Sequence, residues 1–220
     1  MKFIKCFVVL FTVLMLAPMV YAEDAVPAAT PEAAVPTETS SPVYTIDPAH
    51  SHIGFSVVHL LVSEVEGSFD NFEGEITLDR SKPEVFSAKA TIQAGSIDTR
   101  NEKRDGHLKG ADFFDAGKFP TITFASKALR NTDAGAEIVG DLTIKGVTKE
   151  IVIPAVFSGP VKSPMGGEVI GVKGETTINR QDFGVSWNKA MSDDKENPVV
   201  GMVVDNNVTV RIRLEAKKAE

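Results

Sequence analysis

The run Thr99–Phe124, TRNEKRDGHLKGADFFDAGKFPTITF, holds the side chains of this protein best suited to chemistry. Arg100, Lys103, Arg104 and His107 fall at i, i+3, i+4 and i+7, a spacing that gathers side chains on one face of a helix. Leu108 follows on the same side. Thr99 with Glu102 has the form of a capping box, which would start that helix. Arginine forks match phosphate and carboxylate oxygens. Such a face is either solvated, with Glu102 and Asp105 offsetting part of its charge, or meets an anionic head group. Phe113, Phe114 and Phe119 come next, before a proline-led strand. A basic helix beside an aromatic cluster suits a ligand with a charged head and an apolar tail.

Other groupings carry less. In His50-Ser51-His52 the two rings would share one face of a strand and could reach one ion, but His59, at an odd separation, would face the other way. Hydrogen bonds at a sheet rim are the expectation for these histidines, and no metal site is assigned. The chain contains no nucleophile elbow, glycine-rich phosphate loop, HExxH or EF-hand loop. Asp193–Asn197 is acidic but lacks the calcium-loop spacing, and reads as a solvated loop. No catalytic residue and no cofactor is expected, and nothing positive points to an enzyme.

The elements that must position these residues are strands. Ile53, Phe55 and Val57 alternate with His52, Gly54 and Ser56. Phe86, Ala88, Ala90, Ile92 and Ala94 alternate in the same way, as do Ile138, Gly140, Leu142 and Ile144. The cleanest case is Val208, Val210, Ile212 and Leu214 set against Thr209, Arg211 and Arg213. Turn signals such as Lys145-Gly146 and Ser163–Gly167 separate the runs. About eight strands result, near 43–59, 65–79, 84–97, 119–130, 135–146, 148–160, 167–181 and 199–216, with the short helix inserted after the third. Antiparallel strands with one apolar face stack as a sandwich or close into a barrel. A barrel of eight strands holds side chains or one slender ligand. Small residues such as Ala88, Ala90, Gly140 and Gly174 fall at inward positions among phenylalanines, which favours a partly open lumen. The ligand-contact candidates are Phe55, Val57, Phe69, Phe72, Ile92, Arg104, His107, Phe113, Phe114, Phe119, Phe124, Phe183 and Trp187.

Residues 1–22 read as a cleavable secretory signal: Lys2 and Lys5, an apolar run over Phe7–Leu16, and Val20-Tyr21-Ala22 before the cut. An uncleaved anchor is disfavoured by the short run and Pro18. Export to the periplasm follows. The one cysteine, Cys6, lies in this segment, so thiol chemistry and disulfides are excluded from the mature chain. Residues 23–42, rich in Ala, Pro, Thr and Glu, form a solvated linker, and 43–216 form one folded domain. The formal charge is −7, and losing two lysines with the signal makes it more negative, which argues against nucleic acid as a partner.

Ordered motifs through 43–216 resemble the YceI-like family: Tyr44–Ser51 with Phe55 and His59, Glu66–Phe69 with Phe72–Gly74, Arg104–Leu108, Asp112–Asp115, Phe119–Phe124, Gly140–Thr148 and Asn179–Asn188. The segment Met202–Asn207 departs from the family's commoner, shorter acidic turn. The resemblance implies a lipocalin-like antiparallel barrel that is exported in bacteria. It also implies a lumen that takes a long apolar chain, such as a polyprenyl phosphate, a quinone tail or a fatty acyl derivative, for transport, storage or sequestration. The alternative it leaves is a periplasmic redox enzyme, or partner, acting on a bound quinone. A transient membrane or quinone-protein partner and a homodimer also stay open.

Overall fold

The computed structural model describes residues 41–133, 135–190 and 202–219. The signal, nearly all of the linker, the Asp193–Asn197 loop and the start of the expected last strand lie outside them. In chain order the elements are β1 (Val43–Ile46), β2 (His52–His59), β3 (Ser63–Phe69), β4 (Phe72–Thr77), β5 (Ser87–Gln93), β6 (Ile97–Asp98), α1 (Glu102–Lys109), β7 (Thr121–Thr132), β8 (Gly135–Ile144), β9 (Val147–Lys162), β10 (Glu168–Asn179) and β11 (Val204–Lys218).

All pairings are antiparallel, and β11 closes the ring. One edge of β11 pairs with β10, while the other pairs first with β2 and then with β1. β1 and β2 are therefore two halves of one barrel strand. The same holds for β3 with β4 and for β5 with β6, which continue the neighbouring positions. The result is a closed barrel of eight strands whose first three are interrupted.

Each interruption has a local cause. Pro48 has no N–H to give a ladder and opens a single 3-10 turn, capped by the Asp47 carboxylate accepting from the Ala49 N–H at 3.0 Å. Ala94–Ser96 forms another such turn, and the Ser96 hydroxyl donates to the Gln93 carbonyl at 2.7 Å. The same hydroxyl accepts from the Asn71 N–H at 3.1 Å, which ties this bend to the break between β3 and β4. The two-residue β8–β9 turn, Lys145-Gly146, has φ of 51° and 76°, the twist a tight hairpin needs.

The period-2 pattern fixes what faces inward. Val208, Val210, Ile212 and Leu214 of β11 line the lumen. Arg211 lies on the outer face, 3.0 Å from the Glu175 carboxylate, and donates to the Ser56 hydroxyl. Ser56 is outward too, yet only 1% exposed, because Arg211 and Glu64 cover it. Inside, glycines make room for rings: a Cβ on Gly140 would stand 2.5 Å from the Phe124 ring.

The seam between β1 and β11 carries an ion cluster. The Lys217 ammonium at 2.6 Å, then the His50 ring at 2.8 Å, hold the Asp47 carboxyl well below the usual carboxylate range. A depressed carboxyl contributes stability that is complete above its unfolded pKa of about 3.9 and is lost as pH falls through the folded value. The stability gap between wild type and Asp47→Asn, read from urea midpoints, should therefore close on acidification from neutral to strongly acid pH. A gap independent of pH would contradict this.

Candidate functional site

The barrel interior holds two adjoining chambers. The upper one, of about 320 Å³, lies at the end that carries α1, the β2–β3 hairpin tip and the Phe183–Trp187 segment. The lower one, of about 100 Å³, runs on toward Phe86 and Phe157. Ile53, Ile92, Leu142 and Val210 line both, and mark the waist between them. The lower chamber is walled almost wholly by aliphatic and phenylalanine side chains. In the upper chamber the ionisable side chains among the described residues are Arg104, Arg180, His59 and His107, with no carboxylate. An acidic protein has thus kept only basic groups in this wall.

Arg104 is positioned from below. Its Nε donates to the Thr99 hydroxyl at 2.7 Å and its Nη2 to the Thr99 carbonyl at 2.8 Å. Thr99 in turn donates its N–H and its hydroxyl to the buried Asp105 carboxylate, at 2.9 and 2.5 Å. These bonds engage two of the five guanidinium N–H groups, and leave the rest of the fork available to the chamber it lines. The helix cap differs from expectation. Asn101 is the N-cap, its side chain accepting from the Arg104 N–H at 3.0 Å. Arg100 takes a φ of 61°, which reverses the chain after Thr99 and turns that side chain inward. Arg100 therefore precedes the helix, and the expected four-residue basic face is divided. Arg104 and His107 border the chamber, although the His107 ring is also half open to solvent, whereas Lys103 and Arg100 are exposed and line neither chamber.

His107 meets Phe113 edge-on at 5.0 Å and Trp187 at 5.1 Å, and Phe113 meets Trp187 at 5.2 Å. Its Nε2 lies 3.1 Å from the Asp112 carboxylate. A second aromatic row runs Phe55–Phe69–Phe114, with centroids 5.9 and 5.7 Å apart. Phe55, Val57, Phe69, Ile92, Arg104, His107, Phe113, Phe114, Phe183 and Trp187 all line the upper chamber, and Phe124 lines the lower. Phe72 and Phe119 are set apart from both linings. Phe72 packs in the buried core, and Phe119 lies against Gly146 under the Lys118 ammonium. Their sequence neighbours shared the aromatic pattern, but the β3–β4 break and the β8–β9 turn take these two rings elsewhere.

Arg180 was not among the candidates, yet it anchors this end of the barrel. Only 6% exposed, it donates to the carbonyls of Asp205, Val185, Trp187 and Val204 and to the Asn206 side chain, at 2.7 to 3.5 Å. Burial lowers its pKa, and the Asp205 charge opposes the shift. Val185 and Trp187 follow Arg180 in its own segment, but Val204, Asp205 and Asn206 come from the start of β11, and no local spacing reveals that second half of the acceptor set. Gly184, with φ of 73°, turns the chain so that Val185 faces the guanidinium.

The histidine expectation is also revised. His50 lies in the 3-10 turn, not on a strand, so it does not share a strand face with His52. Asp47, His50 and Glu215 come within 4.8 Å of one another, but Lys217 already occupies the Asp47 carboxylate. That ammonium stands where a cation would need open carboxylate oxygens.

Comparison with known proteins agrees with this architecture. The family model of the YceI-like domain matches residues 44–216. A UPF0312 protein of Staphylococcus aureus strain MSSA476 is 44% identical over 149 residues, covering 67% of this chain and 85% of the relative. BcnA of Burkholderia cenocepacia superposes with a TM-score of 0.64 at 25% identity, over 78% of this chain and 99% of its own. The Campylobacter jejuni YceI protein gives 0.59 at 33% identity, over 74% and 90%. A polyisoprenoid binding domain from Saccharophagus degradans shares the fold, with a TM-score of 0.54 at 15% identity, over 80% and 98%. The chain belongs to the YceI-like family.

Proposed function

We propose that this protein binds a long-chain lipid of isoprenoid type in its lumen, with the tail in the two chambers and a polar or anionic head beside Arg104. The observation that carries the reading is the wall itself: aliphatic and aromatic along its length, with only basic ionisable groups in the upper chamber. Each CH2 removed from water contributes about 0.8 kcal/mol before ordering costs, so a long tail supplies affinity and the head supplies discrimination. Polyisoprenoid binding named for the Saccharophagus domain of the same fold is consistent with it. The role is carriage or sequestration, not catalysis, and the lipid is the ligand where a cofactor would otherwise be sought. Export to the periplasm, a cleaved signal over 1–22, a linker over 23–42 and a lipid-binding domain over 43–216 belong to the same proposal. So does transient contact with a membrane: Leu60, Leu61 and Val62 stand exposed at the hairpin tip beside the upper chamber.

Native mass spectrometry of the protein purified from a periplasm, followed by organic extraction, tests the proposal. The expected result is a discrete added mass that extracts as a long-chain lipid. A second expectation uses the waist. Val210→Trp should fill it and cut lipid occupancy about tenfold or more, with a stability cost of about 1–3 kcal/mol from overpacking. A clean apo mass after incubation with prenyl lipids, or occupancy unchanged in Val210→Trp, would count against the reading.

A further inference from the structure

Beyond the lower chamber lies a third space. A recess of about 490 Å³ opens at the opposite end of the barrel, bordered by Leu78, Arg80, Leu129, Asn131 and Val156. Phe157 belongs to its wall and also to the wall of the lower chamber. The Phe157 ring stands edge-on to Phe86, at 5.8 Å between centroids and 83° between planes. Phe86 is 8% exposed and ends the 3-10 turn Pro83–Val85. Phe157 is only half-buried, as a side chain with open space on one side must be.

We infer that the Phe86–Phe157 pair is the floor of the lumen and sets the longest lipid tail the protein can enclose. The inference rests on the lipid-binding reading above, and adds to it a chain-length limit and the residues that impose it. Over part of its lower end the lumen meets a packed base of Tyr44, Leu78, Ile170 and Ala216. Beside that base it stops at two rings, with about 100 Å³ of space above them and about 490 Å³ in the recess beyond. A tail that reaches the rings must fold back or leave carbons in water, and each exposed carbon forfeits its burial energy. The floor is held at the backbone as well as by ring contact. Arg80 Nη2 donates to the Phe157 carbonyl at 3.3 Å. The β9–β10 ladder shifts register just after Phe157, between the Ser158 and Val161 pairings. Such irregularities re-aim side chains near barrel rims. An ordinary core contact would also place two phenylalanines edge-on, but Phe157 in addition belongs to the walls of two cavities.

The test is a length series. Full-length protein, delipidated, is titrated with all-trans prenyl monophosphates from farnesyl through geranylgeranyl to solanesyl and undecaprenyl. The fluorescence of Trp187, the single tryptophan and part of the upper wall, reports binding. Wild type should show affinity that rises with length and then stops rising. Phe157→Ala should move that limit to longer chains, with a gain of about tenfold or more for the longest ligand and little change for farnesyl. Phe157→Leu, a milder change that keeps an apolar side chain, should move the limit in the same direction. Curves for wild type and Phe157→Leu that bind but superimpose overturn the floor while leaving lipid binding intact. Equal loss at every length in both variants also overturns it, since that is what a purely structural role predicts. Absence of binding at any length in wild type overturns the floor together with the reading it rests on.

Discussion

Methionine at position 180 should cost the domain about 3 kcal/mol or more in equilibrium unfolding, the largest stability loss expected from a single residue at the upper end. Arg180 is buried without a carboxylate in contact; its partners are four backbone carbonyls and one side-chain amide oxygen. Every guanidinium N–H has an acceptor, and among the described residues no buried side-chain nitrogen or oxygen is left without a partner. Removing a charge from a low-dielectric site often returns desolvation energy. Here the return is outweighed, because methionine leaves the acceptors behind. The Val204 carbonyl keeps the Asn188 amide as a donor at 2.6 Å, but each buried carbonyl left without one costs about 1–3 kcal/mol, and Val185 is itself buried. Lysine should rescue only in part, having three donors on one nitrogen where the site is built around a planar fork of five. At about 2–4 °C per kcal/mol for a domain of this size, the melting temperature should fall by roughly 10 °C. A loss in Arg180→Met below about 1 kcal/mol, measured by denaturant unfolding, would show that water or rearrangement satisfies the Val185 and Trp187 carbonyls.

The contrast between Arg180 and β11 shows how much of this protein is legible in its sequence. The inward positions of β11 are written as strict alternation, because residues two apart on a strand share a face. About eight strands follow from that signal repeated through the chain, but alternation suits a sandwich as well as a barrel; the resemblance of the ordered motifs implied the barrel, and the pairing of β11 with β10 and with β2 and β1 closes it. What alternation does not report is interruption. Pro48 and the turn at Ala94–Ser96 split single apolar runs into halves, since the hydrophobic period continues across a break that hydrogen bonding alone defines. The helix existed where the basic spacing put it, but its cap moved from Thr99 to Asn101 because a left-handed residue intervenes. Phe113 and Trp187 could be assigned to the barrel interior from the aromatic pattern and the family motif; that they meet His107 edge-on could not. Arg180 lay inside the Asn179–Asn188 motif, but its anchoring role was hidden for a different reason: Val204, Asp205 and Asn206 become its neighbours only when β10 and β11 pair.

Arg104→Met should weaken binding of a lipid with an anionic head by about 10- to 100-fold, while binding of the neutral alcohol with the same tail should change by no more than about threefold. Hydrogen bonds to a charged partner contribute about 1.5–3 kcal/mol, which sets the range. The prediction depends on Arg104 being held but not fully engaged: Thr99 takes Nε and one Nη2 bond, and the remaining N–H groups face a wall without carboxylates. Thr99→Val separates charge from position. It keeps the guanidinium and most of the side-chain volume, but removes the hydroxyl that receives Nε and donates to Asp105. An intermediate loss, again confined to the anionic ligand, is expected if aim matters as well as charge. His107→Ala should matter less, because its ring is already committed to Asp112, Phe113 and Trp187. Competition titrations of the two ligands against each variant decide the matter. Equal losses for the anionic lipid and the alcohol would mean that Arg104 supports the wall of the chamber and reads nothing of the head. A loss confined to the anion would mean that the acidic protein has reserved this cation, in a lumen given mostly to apolar contact, for choosing among lipids whose tails fit it equally well.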